Sequence, residues 1–273
     1  MIKINCPVKL CKSTNTVYSY KFKNLKYFKC NECTTYFQNP LPQNIDYKKK
    51  YNKEYFESYQ KLSIKTSKLK QLRSKQYKHD IKILKKFYKD AVNKKVLDYG
   101  CGPGLFLKSL KSKLYGYELN DGAVVNKKIT RLKYDDIKKH KFDLITLRGV
   151  IEHIPDFLDK VKYLTSTLKK NSFLFITATP NTLNLNFELN KSAFNQNHWG
   201  HIYHFNHINL SKFFLNFGLY NIHTSFDYSE TVYANFLKDY KKQKQLLSKI
   251  KKNKIISNPG VGNMMTICFQ KMF

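Results

Sequence analysis

The segment Val96-Leu97-Asp98-Tyr99-Gly100-Cys101-Gly102-Pro103-Gly104 constrains the fold more than any other part of the chain. A short apolar strand ends in a carboxylate, and three glycines at alternate positions follow at once. Such glycines let the main chain turn tightly and let a ligand approach backbone amides. The turn is expected to lead into a helix over residues 105–110. Further strands are expected over 114–118, 129–132, 142–147 and 173–178, with a helix over 157–168 between the last two. Residues 220–226 and 264–270 add two more, separated by a lysine-studded helix over 241–254. Repeated strand–helix units of this length specify an α/β fold with a doubly wound, seven-stranded sheet.

The spacing G-x-G-x-G places Leu105 where a dinucleotide enzyme needs its third glycine. Asp98 at the strand end would oppose a pyrophosphate. It suits a ligand that carries a positively charged amino group and no phosphate, and S-adenosylmethionine is such a ligand. Glu118 ends the second strand, twenty residues after Asp98, where a carboxylate can accept both ribose hydroxyls.

Together with Asp135-Asp136 and Leu147-Arg148-Gly149-Val150-Ile151-Glu152-His153-Ile154-Pro155-Asp156, these features resemble the class I S-adenosylmethionine-dependent methyltransferases. The likeness covers about residues 75–273 and implies their Rossmann-like sheet. It implies that the turn, with Asp98, Tyr99, Gly100, Gly102 and Gly104, holds the methionine part of the cofactor. Glu118 then holds the ribose, Asp135 or Asp136 lies near the adenine amine, and the stretch from Glu152 to Asp156 flanks the transfer site. Tyr99 and Cys101 depart from the usual turn residues, which is tolerable where backbone amides face the ligand.

Four of the six cysteines, Cys6, Cys11, Cys30 and Cys33, crowd into the first 33 residues. Two such pairs can close a tetrahedral zinc site, and so short a segment would depend on the metal for stability. The prolines of Asn39-Pro40-Leu41-Pro42 mark a boundary, giving a ribbon-like segment 1–45, a helical arm 46–92 and the main domain 93–273. In the arm Leu69, Leu72, Tyr77, Ile81, Leu84 and Tyr88 follow helical spacing. The cysteines, Phe37-Gln38-Asn39-Pro40 and the run Tyr47, Tyr51, Tyr55 and Phe56 resemble the N-terminal zinc ribbon of a methyltransferase subgroup that modifies sugars and surface polysaccharides. That likeness implies a structural zinc, a small and often nucleotide-linked substrate, and Tyr51 and Tyr55 as substrate contacts.

Methyl transfer to a hydroxyl needs a base, and histidine is apt at neutral pH. His153 follows the fourth strand, at the carboxyl edge where ligands bind in such folds. The segment Asn197-His198-Trp199-Gly200-His201-Ile202-Tyr203-His204-Phe205-Asn206-His207 reads as a substrate lip. His198 and Trp199 are its expected contacts, and His201 and His204 its expected substrate contacts or base. Metal binding by these four histidines is disfavoured, because their spacing is loose and no carboxylate accompanies them.

The formal charge of +31 comes almost wholly from lysine, with only Arg73, Arg131 and Arg148 as arginines. Arginine's fork is favoured for phosphate and base contacts, so a diffuse lysine excess argues for attraction to small anions over a nucleic-acid surface. Leu147-Arg148-Gly149-Val150 stands where DNA amine methyltransferases carry an Asn-Pro-Pro-Tyr motif, which disfavours that substrate. No apolar run suits a membrane helix or signal peptide, so a cytoplasmic protein is expected. The chemistry expected is O-methylation of an anionic sugar, nucleotide-sugar or phosphorylated metabolite. The competing readings are a ribosomal or transfer RNA methyltransferase with a zinc ribbon, and a non-catalytic cofactor- or zinc-binding module.

Overall fold

Residues 4–8, 11–42, 67–119, 126–184, 187, 200–226 and 264–273, which this computed structural model describes, form two sheets. The first begins as a meander in which β1 (Thr16–Phe22), β2 (Leu25–Cys30) and β3 (Tyr36–Gln38) pair antiparallel. Tyr20, Phe22, Tyr27 and Tyr36 bury together with Phe187, while Val17 and Tyr18 face solvent. Of the expected helical arm, residues 46–66 lie outside the described residues. Its remainder contains helix α1 (Ser67–Leu84), and Ile81, Leu84 and Tyr88 bury as their spacing requires.

In the second sheet β4 (Lys95–Tyr99), β5 (Lys113–Tyr117), β6 (Ile129–Arg131), β7 (Phe142–Arg148) and β8 (Leu168–Pro180) run parallel. Their central strands are apolar on both faces because both faces are covered. Leu97, Ile145, Leu147, Leu174 and Ile176 pack on one side against α2 (Phe157–Ser166), whose Phe157, Val161 and Leu164 recur at helical spacing. Val96, Leu144 and Phe175 pack on the other against α1. The sheet is therefore doubly wound.

After β8 the chain returns to the first sheet, where β9 (Tyr203–His204) pairs antiparallel with β3. A strand that follows β8 in sequence thus completes the N-terminal sheet. Helix α3 (His207–Leu215) starts from a capping box in which the Asn206 and Asn209 side chains each accept the other's backbone N–H. The same two side-chain amides donate to Thr34 and Thr35, each at 3.2 Å, and fix the loop beside Cys33. Finally β10 (Leu219–Ser225) and β11 (Met264–Lys271) complete the order β10-β11-β8-β7-β4-β5-β6, with β11 antiparallel to both neighbours.

The expected seven strands are all present, but the expected helix over 105–110 is not: those residues form bends and a turn. Only residues 100–112 separate β4 from β5, and they must climb back down the height of a strand, about 16 Å. Phe106, Leu107 and Leu110 nevertheless bury against α1, so the apolar pattern was a packing signal and not a helical one. The helix expected over 241–254 lies outside the described residues. Among the described residues no helix is long and apolar enough to cross a membrane.

Candidate functional site

At the carboxyl edge of the sheet, β4 runs directly into the glycine turn. Gly100 and Cys101 both donate their N–H to Tyr117 O, at 2.8 and 3.1 Å, which ties the turn to the end of β5. Glu118 continues that tie. Its carboxylate accepts from Gly102 N–H at 2.9 Å and from Leu119 N–H at 2.8 Å, so the acid lies against the turn itself. Tyr99 points into the sheet's face and stacks on Tyr117 with ring centroids 4.7 Å apart, leaving only its main chain for the turn.

Asp98 is buried and accepts a 2.6 Å hydrogen bond from Thr146 of β7. Burial pushes its carboxyl up to about 6, against the opposing pull of Thr146 and Arg148. Arg148, at the end of β7, pairs with the buried Asp80 of α1 at 2.9 Å and lies over the Tyr77 ring at 4.9 Å. Asp80 is not singled out by the sequence. Its pairing with Arg148 fastens α1 across the end of β7. Asp135 and Asp136 fall on a short 3-10 helix (Tyr134–Lys139) beyond β6, where Asp136 pairs with Lys139 at 2.7 Å.

The turn after β7 carries the second constellation. Val150 lies against Gly100, and the next residues form a 3-10 helix, Ile151–His153. Glu152 is buried, and its Oε1 lies 4.0 Å from His153 Nε2 and 4.0 Å from His201 Nε2. Burial pushes the Glu152 carboxyl up to about 7. The two imidazoles meet edge to face, 4.7 Å apart. Ile202 N–H donates to Glu152 O at 2.9 Å, which zips the segment before β9 onto this turn. A bulge in β8 serves the same place. Ile267 pairs with Ile176 but Met265 pairs with Thr179, so β8 carries one extra residue there, and Ala178 takes φ 55°. The extra residue resets the side-chain alternation, and the Thr179 hydroxyl donates to Glu152 Oε2 at 3.3 Å.

His153 and His201 are therefore brought together, and Glu152, which the resemblance placed only within a flanking stretch, stands between them. His204 has a different setting. It is 1% exposed between the rings of Tyr20, Tyr27 and Phe187, and burial pushes its pKa down to about 3. Its ring also meets that of His201 edge to face, with centroids 5.8 Å apart, at the junction of the two sheets. Tyr51, Tyr55, His198 and Trp199 lie outside the described residues.

The four N-terminal cysteines converge. Their sulfurs all lie within 4.8 Å of one another, with Cys6–Cys33 and Cys11–Cys30 each at 3.6 Å. Sulfurs on a tetrahedral zinc, with bonds near 2.3 Å, stand about 3.8 Å apart, whereas a disulfide needs about 2.05 Å. The quartet fits the metal and not a pair of crosslinks. Cys33 N–H also points at Cys30 Sγ, at 3.5 Å, as befits a thiolate knuckle.

The methyltransferase domain family matches residues 69–224, more than half of the chain, and the chain belongs to that family. It is an S-adenosylmethionine-dependent methyltransferase with a Rossmann-like sheet. A SAM-dependent methyltransferase from Archaeoglobus fulgidus aligns at 17% identity and TM-score 0.52, covering 80% of this chain and 99% of that one. A candidate methyltransferase from Bacillus halodurans aligns at 15% identity and TM-score 0.50, covering 71% and 99%. The Haloferax volcanii complex of the Trm112 methyltransferase activator with a candidate methyltransferase aligns at 10% identity and TM-score 0.52, covering 75% of this chain and 93% of the matched one. At these identities the likeness concerns the fold. No curated protein sequence matches the chain.

Proposed function

We propose that this enzyme transfers the methyl group to a hydroxyl of a small anionic acceptor. That acceptor is a sugar, nucleotide-linked sugar or phosphorylated metabolite of surface-polysaccharide assembly, handled in the cytoplasm. The observation that carries the reading is the meeting of Glu152, His153 and His201 beside the glycine turn. It supplies proton-handling groups where an acceptor hydroxyl would approach the methyl. When bound, S-adenosylmethionine supplies the electrophilic methyl. Asp98 and the turn of Gly100, Gly102 and Gly104 receive its methionine part, Glu118 its ribose, and Asp135 or Asp136 its adenine side. Cys6, Cys11, Cys30 and Cys33 hold one structural zinc, whose four protein ligands leave no open position. The lysine-rich surface raises the local concentration of an anionic acceptor.

Glu118→Ala is expected to weaken cofactor binding by roughly 1–3 kcal/mol, as buried hydroxyls lose a charged partner and Gly102 N–H loses its acceptor. Calorimetry returning an unchanged affinity would remove Glu118 from the ribose. The acceptor class is tested with radiolabelled cofactor and a panel of sugar phosphates and nucleotide-sugars. Salt-sensitive binding to ribosomal or transfer RNA, with no transfer to any of the panel, would replace the proposal by an RNA-modifying one.

Asp98 adds a pH dependence. Its folded value near 6 lies above the ordinary 3.8, so the free protein loses stability as pH rises from about 4 to about 6, by of the order of 3 kcal/mol. A cationic amino group beside it favours the ionised form and offsets that loss. Cofactor affinity is therefore expected to be flat above pH 6 and to fall up to about tenfold per unit below it. Asp98→Asn should remove the slope, weaken binding, and raise the melting temperature of the free protein. A slope that survives the substitution would assign it to another group.

A further inference from the structure

We infer that Glu152, His153 and His201 form a binding site for one divalent transition-metal cation, and that this cation binds and ionises the acceptor hydroxyl. The use of the metal rests on the O-methyltransferase reading above; the binding does not. The ligand set is two imidazoles and one carboxylate, whose ligating atoms all lie within 4.8 Å of one another. Zn²⁺, Fe²⁺, Co²⁺ and Mn²⁺ take such mixed nitrogen and oxygen ligands, whereas Mg²⁺ and Ca²⁺ prefer oxygen throughout.

Each ligand is oriented by a partner behind it. His153 Nδ1 lies 2.9 Å from Gly200 O. A carbonyl only accepts, so Nδ1 carries the proton and Nε2 presents its lone pair to Glu152. The Thr179 hydroxyl occupies Glu152 Oε2 and leaves Oε1 facing both imidazoles. His201 is held through its main chain, whose carbonyl accepts from the Tyr27 hydroxyl at 2.8 Å. Metal–ligand bonds near 2.1 Å place ligand atoms about 3.0–3.4 Å apart, so the two 4.0 Å pairs need close by only about 0.6–1 Å. Such a movement is within side-chain rotation.

Exposure shows which way the site opens. The side chains of Glu152 and His201 are 3% and 5% exposed and that of His153 is 22%, so the inner ligands are sealed and the outer one stands at the mouth. Three protein ligands leave coordination positions for an incoming oxygen, unlike the closed cysteine quartet. A hydroxyl on such a cation ionises near neutral pH, as metal-bound water does. Its proton leaves to solvent, the alkoxide oxygen bonds to the methyl carbon, and the carbon–sulfur bond breaks with its electron pair kept by sulfur as a neutral thioether.

The test uses full-length protein with one zinc already in the ribbon, titrated with Co²⁺ and followed by calorimetry and visible absorption. One cobalt per chain should bind, with d–d bands and without the intense sulfur-to-metal charge transfer of a cysteine site. Glu152→Gln and His201→Ala should each weaken binding by at least ~100-fold, and Thr179→Val by about tenfold. Full affinity in both ligand variants, or no such cobalt site in the unaltered protein, overturns the proposal. The unaltered protein decides if a buried variant fails to fold. Methyl transfer to a hydroxylated acceptor in the absence of any cobalt site would overturn the metal alone and leave His153 as the base.

Discussion

Replacing Cys30 by serine is expected to empty the cysteine site, with zinc falling from about one to near zero per chain, and to unseat the whole ribbon. Structural zinc contributes apparent binding energies of about 10–16 kcal/mol in small domains, so losing a fully buried ligand should remove at least ~5 kcal/mol from this segment. The apolar cluster of Tyr20, Phe22, Tyr27, Tyr36 and Phe187 is too small to substitute for the metal. The consequence reaches further than the ribbon. β3 pairs with β9, Gln38 N–H donates to Ile202 O, and Ile202 N–H donates to Glu152 O at 2.9 Å. Tyr27 meanwhile holds the His201 carbonyl. Loss of zinc should therefore lower turnover by orders of magnitude while cofactor affinity changes little, since the glycine turn hangs on β4 and β5. Elemental analysis, calorimetry and single-turnover methylation read the three quantities separately. Zinc lost with turnover intact would show that the ribbon does not position this cluster.

What the sequence disclosed and what it withheld follow from how far apart the interacting residues lie. The glycine turn was legible because everything that makes it a turn is contiguous: a buried strand, a terminal carboxylate and three glycines. The strands were legible to within a few residues at most ends, because apolar runs covered on both faces have one outcome. The segment 105–110 misled because Phe106, Leu107 and Leu110 satisfy helical spacing and bury, yet the residues form bends and a turn. The histidine-rich stretch conceals its partner. No carboxylate stands near it in sequence, so metal binding looked disfavoured, yet the hydrogen bond between Ile202 and Glu152 brings in an acid from 49 positions earlier. His201 and His204 are both buried and their rings stand 5.8 Å apart, yet Glu152 and His153 flank the first while Tyr20, Tyr27 and Phe187 surround the second. Nothing in residue type distinguishes those two histidines. Their neighbours do.

Gly100→Ala should be the most damaging single-methyl change on the cofactor side. The residue sits at φ +77°, where an alanine is strained by about 1–2 kcal/mol. An added Cβ would also stand 2.6 Å from Val150 Cγ2 and 3.3 Å from Cγ1, closer than real contacts allow. Val150 is β-branched and stiff, and it begins the turn that carries Glu152 and His153, so relief requires moving that turn. Overpacking of this kind costs a further ~1–3 kcal/mol, for a total near 2–5 kcal/mol. Gly104→Ala is a fair comparison, since its φ of +73° is alike but its nearest contact, at 2.7 Å, is the terminal Cδ1 of Ile129, which can swing away, leaving the milder 3.2 Å contact with Asn126 Cβ. Gly100→Ala should thus lose more stability than Gly104→Ala by roughly the overpacking share. Adding Val150→Ala to Gly100→Ala should recover that share and leave the backbone strain. Cofactor affinity should fall at least tenfold in Gly100→Ala and return in part in the double variant. Equal damage from Gly100→Ala and Gly104→Ala, or no recovery in the double variant, would show that the Val150 contact does not couple the glycine turn to the Glu152 cluster.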